Sequence, residues 1–243
     1  MGALLVVVVV LVVLLVAGAL AFALRRAERR TFTFPEPVRQ VDVDLPAGEL
    51  AVAAAAGPVT VQRTLRWSLA RPATSERVDG DVLRIEVRSR GWWLFGGEVA
   101  YRVLAPAEAG VRATTGAGSL TIEGMQGGVE LRTGAGAVAL AGVGGRVRAT
   151  TGAGSVRGSG LAAREVEAVS SAGSLALAFA APPELVEART NAGSVELSVP
   201  DGRYRVHATS NAGRVQVDVP SDPAAPRTLV ASSNAGRVQV SRC

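Results

Sequence analysis

The chain contains no lysine, a single histidine (His207) and a single cysteine, Cys243, which is its last residue. One cysteine excludes an internal disulfide and any multi-cysteine metal site. Aromatic residues are scarce, at 4% of the 243 residues. A concentrated basic region is also lacking outside one short stretch. The formal charge is +5, and Arg25, Arg26, Arg29 and Arg30, less Glu28, supply +3 of it. The other basic side chains are dispersed, so the charge does not point to nucleic acid as a partner.

What is present begins with an apolar run. Residues 3–24 are uncharged and almost wholly apolar. Twenty-two residues in a helix reach about 33 Å, enough for the hydrocarbon core of a bilayer. The expectation is one uncleaved transmembrane helix, with residues 1–30 comprising the span and a basic juxtamembrane segment. Ala21-Phe22-Ala23 resembles a signal-peptidase site, but Met1-Gly2-Ala3 supplies no basic leader and the apolar run is long. The four arginines after the span place the domain in the cytoplasm by the positive-inside rule.

The rest of the chain is organised by one recurring pair. Ala-Gly occurs at 117–118, 135–136, 153–154, 172–173, 192–193, 212–213 and 235–236, with glycine spacings of 18, 18, 19, 20, 20 and 23. Seven residues before each glycine stand Val111, Val129, Val147, Val166, Val186, Val206 and Leu229. Five before, six of seven copies carry alanine; three before, every copy carries Thr or Ser. Two after stand Leu120, Val138, Val156, Leu175, Val195, Val215 and Val238. Alternation at period two on both sides of a turn predicts two strands per copy, each with one inward face. A period near 20 matches one coil of a stacked repeat that buries its face only against its neighbours. The fold expected is therefore all-β: a parallel β-solenoid (β-helix) with coils of about 20 residues, right-handed by the usual crossover preference. Gly or Asn two residues before most of the repeat glycines predicts a left-handed corner there. The adjacent hydroxyls are placed to bond corner backbone groups that lack a ladder partner. Outward residues stack too. Six before each glycine, Arg112, Glu130, Arg148 and Glu167 form an alternating-charge ladder, followed by Glu187, His207 and Val230.

Residues 31–110 are more divergent than the regular copies of 111–243. Val41–Leu45 and Leu50–Val52 alternate, and Ala56-Gly57-Pro58-Val59-Thr60-Val61 reads as a worn copy of the repeat. Strands are expected at Thr64–Leu69 and Val82–Arg88 with Gly80 in the turn between them, as a hairpin-like excursion or cap. Within this part lies Gly91-Trp92-Trp93-Leu94-Phe95-Gly96-Gly97. Adjacent tryptophans in a strand face opposite sides, so Trp92, Trp93 and Phe95 are the candidates for a membrane or partner contact, or form the core of the cap. At the other terminus, Arg237–Ser241 is expected to be an open edge beside Cys243, suited to self-association, including a disulfide dimer.

An N-terminal hydrophobic segment, a Gly-Pro-Val-Thr-Val start and recurring Thr-x-Ala-Gly-Ser-Val resemble the bacterial "putative adhesin" β-strand-repeat family of unknown function. Two copies read VRATTGAGS (111–119 and 147–155), and two others share SNAGRVQV (210–217 and 233–240). The resemblance covers residues 41–242. It implies an envelope-associated β-solenoid with an extracytoplasmic domain, the opposite side from that given by the arginines. Such chains commonly carry Asp or Asn after Ala-Gly; here Ser, Ala or Arg stands there, so no acidic site carries over.

The residues offer little for catalysis. His207 falls on an outward strand position with no nucleophile or base partner in neighbouring copies. Gly116-Ala117-Gly118 precedes a strand, whereas a phosphate loop opens a helix. The turns lack the aspartates of calcium-binding β-rolls. Glu130, Glu167 and Glu187 share an outer row, but Arg112 and Arg148 offset it and no aromatic groove runs beside it. No catalytic, cofactor or metal residues are assigned. The function expected is a membrane-anchored, non-enzymatic interaction or adhesion module of the envelope, with a protein or glycan partner. The alternatives are an envelope-stress sensing module and, less favoured, a carbohydrate-active enzyme.

Overall fold

Within each Ala-Gly copy, the alternation before the glycine and the alternation after it become two strands in two different sheets, here called sheet B and sheet A. The computed structural model describes residues 26–68, 71–88 and 97–243. The first three copies supply β8 (Gly110–Ala117) and β9 (Leu120–Glu123), β10 (Val129–Ala135) and β11 (Val138–Ala141), and β12 (Val147–Ala153) and β13 (Val156–Leu161). The fourth and fifth supply β14 (Glu165–Ala172) and β15 (Leu175–Phe179), then β16 (Leu185–Ala192) and β17 (Val195–Val199). The last two supply β18 (Tyr204–Ala212) and β19 (Val215–Val217), then β20 (Arg227–Ala235) and β21 (Val238–Arg242). Copies pair with one another in parallel and in repeat register: Val111, Val129, Val147, Val166 and Val186 form one continuous row. Inward positions are buried in copies one to five and seven, and their apolar members form the single core between the sheets.

The glycine is required by this stacking. Gly118, Gly136, Gly154, Gly173, Gly193 and Gly236 have φ between +136° and +153°, a region that favours glycine. A Cβ on any of them would overlap the carbonyl oxygen of the equivalent glycine in the neighbouring layer. The expected left-handed residue two positions earlier is not found: no non-glycine residue has positive φ among the described residues. The hydroxyl column behaves as expected at several copies. Thr190, Ser233 and Ser210 donate to the carbonyls of Gly173, Gly193 and Gly236 at 2.8–2.9 Å, and Ser170 reaches that of Gly154 at 3.2 Å. Thr133 and Thr151 Oγ1 are buried without a partner.

Layer order departs from chain order. Sheet A runs β17-β21-β19 and sheet B runs β16-β20-β18, so copy seven is inserted between copies five and six. Copy six therefore ends the stack, with Val215 and Val217 40% and 39% exposed. This corrects the expectation that Arg237–Ser241 is the open edge. Val238 and Val240 are buried, and Cys243 donates from Sγ to the carbonyl of Phe179 at 3.3 Å, well inside the stack order.

The N-terminal half contains an eighth copy. In β2 (Gln40–Ala47) and β3 (Glu49–Ala54), Val41, Val43, Leu45, Leu50 and Val52 hold the repeat's inward positions around Ala47-Gly48. Ala56-Gly57 is not a copy; it leads into β4 (Val59–Trp67), which runs antiparallel to its neighbours. After β5 (Ala73–Asp79), a turn at Gly80 (φ +64°) leads into β6 (Val82–Arg88), and β7 (Glu98–Ala105) follows. β6 and β7 pair in parallel with β2 and β3 and form one more layer inside β4 and β5. Strand β1 (Arg26–Phe34) covers β4, so the basic stretch expected to be a juxtamembrane linker is strand from Arg26 onward. The 3–24 span lies outside the described residues. Among the described residues no helix is long and apolar enough to cross a membrane.

Candidate functional site

Because the copies stack in register, one outward side chain per strand forms a row across sheet B. In spatial order the row reads Arg77, Arg84, Asp42, Arg112, Glu130, Arg148, Glu167, Glu187, Val230 and His207, one residue from each of its ten strands. Val230 thus separates Glu187 from His207, a consequence of the inserted copy. Neighbouring strands lie about 4.8 Å apart, and charge alternates in sign along the six residues from Arg84 to Glu167, with like neighbours beyond them in Arg77 and Glu187. Arg112 Nε bonds Glu130 Oε2 at 3.1 Å, and Arg148 Nε bonds Glu167 Oε2 at 2.9 Å. Beside this row runs a second pair, with Arg146 Nε to Glu165 Oε2 at 2.6 Å. Together they border a groove of about 510 Å³ that also exposes Leu185. These pairs are solvent-exposed, each worth a few tenths of a kcal/mol, so they set register and surface pattern more than stability. The outer face of sheet A has a shallow depression where Ala139, Ala141, Ala176 and Ala178 lie among Glu123, Arg157 and Glu196.

The other charged constellation lies where the sheets close at the N-terminal end. Arg63 occupies an inward position of β4 and is 4% exposed. Its Nη1 reaches Glu76 Oε1 and Oε2 on β5 at 2.8 and 3.1 Å, and its Nη2 reaches Glu28 Oε1 on β1 at 3.1 Å. The Tyr101 hydroxyl donates to Glu76 Oε1 at 2.6 Å, and the Phe32 ring stacks over the guanidinium at 5.2 Å. Burial works against the Arg63 charge, but the hydrogen bond and charge of Glu76 outweigh it and raise its pKa. Burial, reinforced by the bond to Glu76, pushes the Tyr101 phenol up, so it remains a donor. Burial tends to raise Glu28, yet the charges of Arg30, Arg71 and Arg63 hold its carboxyl below the ordinary range. The cluster ties sheet A to sheet B and replaces apolar contact at the end of the stack, where β1 covers β4 and, among the described residues, no strand lies beyond β5. Sequence reading missed it, because Arg63 and Glu76 sit in strands whose pairing no local pattern records.

Trp92, Trp93 and Phe95 lie outside the described residues, between β6 and β7. His207 is exposed on the outer face of β18. Among the described residues no three His, Cys, Asp or Glu side chains converge in a metal-binding group.

No family model matches the chain, and no curated protein does. Several solved structures are similar. One is described as a putative cell adhesion protein from Clostridium sporogenes, with 8% identity and a TM-score of 0.45 over 90% of this chain and 100% of that one. Another is a putative adhesin from Bacteroides fragilis, at 13% identity and TM-score 0.47 over 90% and 97%. A third is a putative lipid binding protein from Parabacteroides distasonis, at 10% identity and TM-score 0.38 over 90% and 97%.

Proposed function

We propose that the chain is a membrane-anchored parallel β-solenoid, held by its 3–24 segment, that serves the cell envelope as a non-enzymatic interaction or adhesion module. The observation that carries this reading is the row across sheet B, where eight of its ten strands present a charged outward residue at a fixed spacing. A flat lattice of both signs, repeated at about 4.8 Å, is complementary to an extended and repetitive partner rather than to a small molecule held in a closed cavity. An envelope glycan or an elongated envelope protein has that form. The motif resemblance supplies the word adhesion and the extracytoplasmic side.

Two measurements test this. Protease treatment of intact cells should remove the domain, and protection from protease would overturn the extracytoplasmic placement. The full chain in detergent should bind a panel of envelope polysaccharides without cleaving them. Reversing Glu130 and Glu167 to arginine should reduce that binding at least about tenfold if two desolvated contacts of about 1 kcal/mol each are lost. Unchanged binding, or release of cleaved glycan, would reject the reading.

A further inference from the structure

We propose that the free end of the stack, formed by copy six, is a homodimer interface in which β19 pairs antiparallel with β19 of a second copy about a two-fold axis at Gln216. This rests on the observed layer order and not on the binding role proposed above.

The end is open in both sheets at once. In sheet A, the Val238 N–H donates to the Arg214 carbonyl and the Asp218 N–H donates to the Val240 carbonyl. Ladder parity therefore turns the Gln216 peptide groups toward β21 and those of Val215 and Val217 away from it. In sheet B, Ser221 and Asp222 cover the edge at Tyr204 and Val206, leaving the later part of β18 free. Among the described residues no strand pairs with either outer edge. Between the edges the core is open at Val215 and Val217, about two-fifths exposed, while Val219 and Tyr204 beside them are buried. The opposite end differs: there an antiparallel layer and the inward Arg63–Glu76 pair close the core.

The occupant is specified by this geometry and by charge. A single strand could cover one edge only and would leave the core end wet. Another copy's end presents two edges and an apolar centre at the same separation, which makes an isologous contact possible. The edge sequence is also self-complementary. Arg214-Val215-Gln216-Val217-Asp218, reversed against itself about Gln216, sets Arg214 opposite the second copy's Asp218 twice and Val215 opposite Val217 twice. The outward peptide groups of Val215 and Val217 then meet as hydrogen-bonded pairs, with Gln216 at the non-hydrogen-bonded centre. Among the described residues of the monomer, Asp218 accepts only from the Gln216 amide, at 3.0 and 3.3 Å, and Arg214 forms no ion pair. The identical octapeptide in copy seven, which is covered, is followed by Ser241 instead of an acid. The complementary charge is present only where an edge is free.

The test uses the full chain in detergent micelles, with mass measured by sedimentation. Wild type should dimerise at micromolar concentration. Asp218→Arg converts both cross-axis pairs to like charges and should weaken dimerisation at least about tenfold. Arg214→Asp combined with Asp218→Arg should restore it. Gln216→Cys in a Cys243→Ser background should form an intermolecular disulfide on mild oxidation, since a non-hydrogen-bonded pair brings Cα atoms to about 4.5 Å. A monomeric wild type, an Asp218→Arg variant that dimerises equally, a double variant that stays monomeric, or absence of the Gln216→Cys crosslink would each overturn the proposal. Far-UV dichroism confirms that each exposed-edge variant remains folded.

Discussion

At the scale of single residues, two demands repeat along the chain: an apolar side chain that fits a narrow core and a glycine that lets two corners touch. Val195 is buried two residues after Gly193, while Glu196 faces solvent. Val195→Asp buries an unpaired charge and should cost several kcal/mol, whereas Glu196→Lys should change stability by less than about 0.5 kcal/mol. Thermal melts of the two variants compare them directly, and equal melting temperatures would refute the inward assignment. Gly154→Ala meets the Gly136 carbonyl in the layer beside it and adopts a disfavoured φ of +153°. It should destabilise by about 3 kcal/mol or more, read as a lowered denaturation midpoint.

At the scale of elements, the layers are distinguished by position more than by composition. Val238 and Val215 hold the same place in identical octapeptides, yet one is fully buried and the other 40% exposed. Val238→Asp should therefore be as damaging as Val195→Asp, and Val215→Asp should cost much less. If the two costs were reversed, copy seven rather than copy six would end the stack. The closing elements at the other end depend on charge. Arg63→Met removes one member of a buried pair and leaves Glu76, 6% exposed, without its cation; a loss of about 3–5 kcal/mol is expected. Adding Glu76→Leu should recover most of it, which a double-mutant cycle would reveal. Glu28 adds a pH dependence. Its folded pKa is depressed, so its contribution is complete above the unfolded value of about 4.3 and is lost as pH falls through the folded one. Amide protection factors in β1, taken relative to the intrinsic exchange rate at each pH, should fall on acidification in wild type, and Glu28→Gln should flatten that response.

At the scale of the whole molecule, stability is a sum over layers and their contacts with neighbours. Interior layers are covered on both sides, and copy six on one only. Amide exchange should accordingly be slowest in copies two to four and fastest in β18 and β19, unless dimerisation covers the latter. Both ends share a construction: the chain lays down an outer layer and then threads the next one inside it, β6 and β7 within β4 and β5, then β20 and β21 within β18 and β19.

The sequence by itself determined which residues face inward, that each copy has two strands and that equivalent copies pair in parallel, though the left-handed corner falls on the repeat glycine and not two residues before it. Those properties are written in every copy at period two and need only a neighbour of the same kind to be satisfied. The eighth copy was equally legible, since Val41, Val43, Leu45, Leu50 and Val52 stand at the repeat offsets around Gly48, but 70 residues separate it from Gly118. Only the tertiary structure decided the order of the layers. Identical copies such as 210–217 and 233–240 present the same edges and the same inward side chains, so repeat chemistry does not choose between them. The choice lies in the connections: the final interval lengthens to 23 residues, and Arg203, Tyr204 and Asp222 bind the returning loop. The pairing of Arg63 with Glu76 likewise needed both sheets, because each residue alone reads as an ordinary charge in a strand.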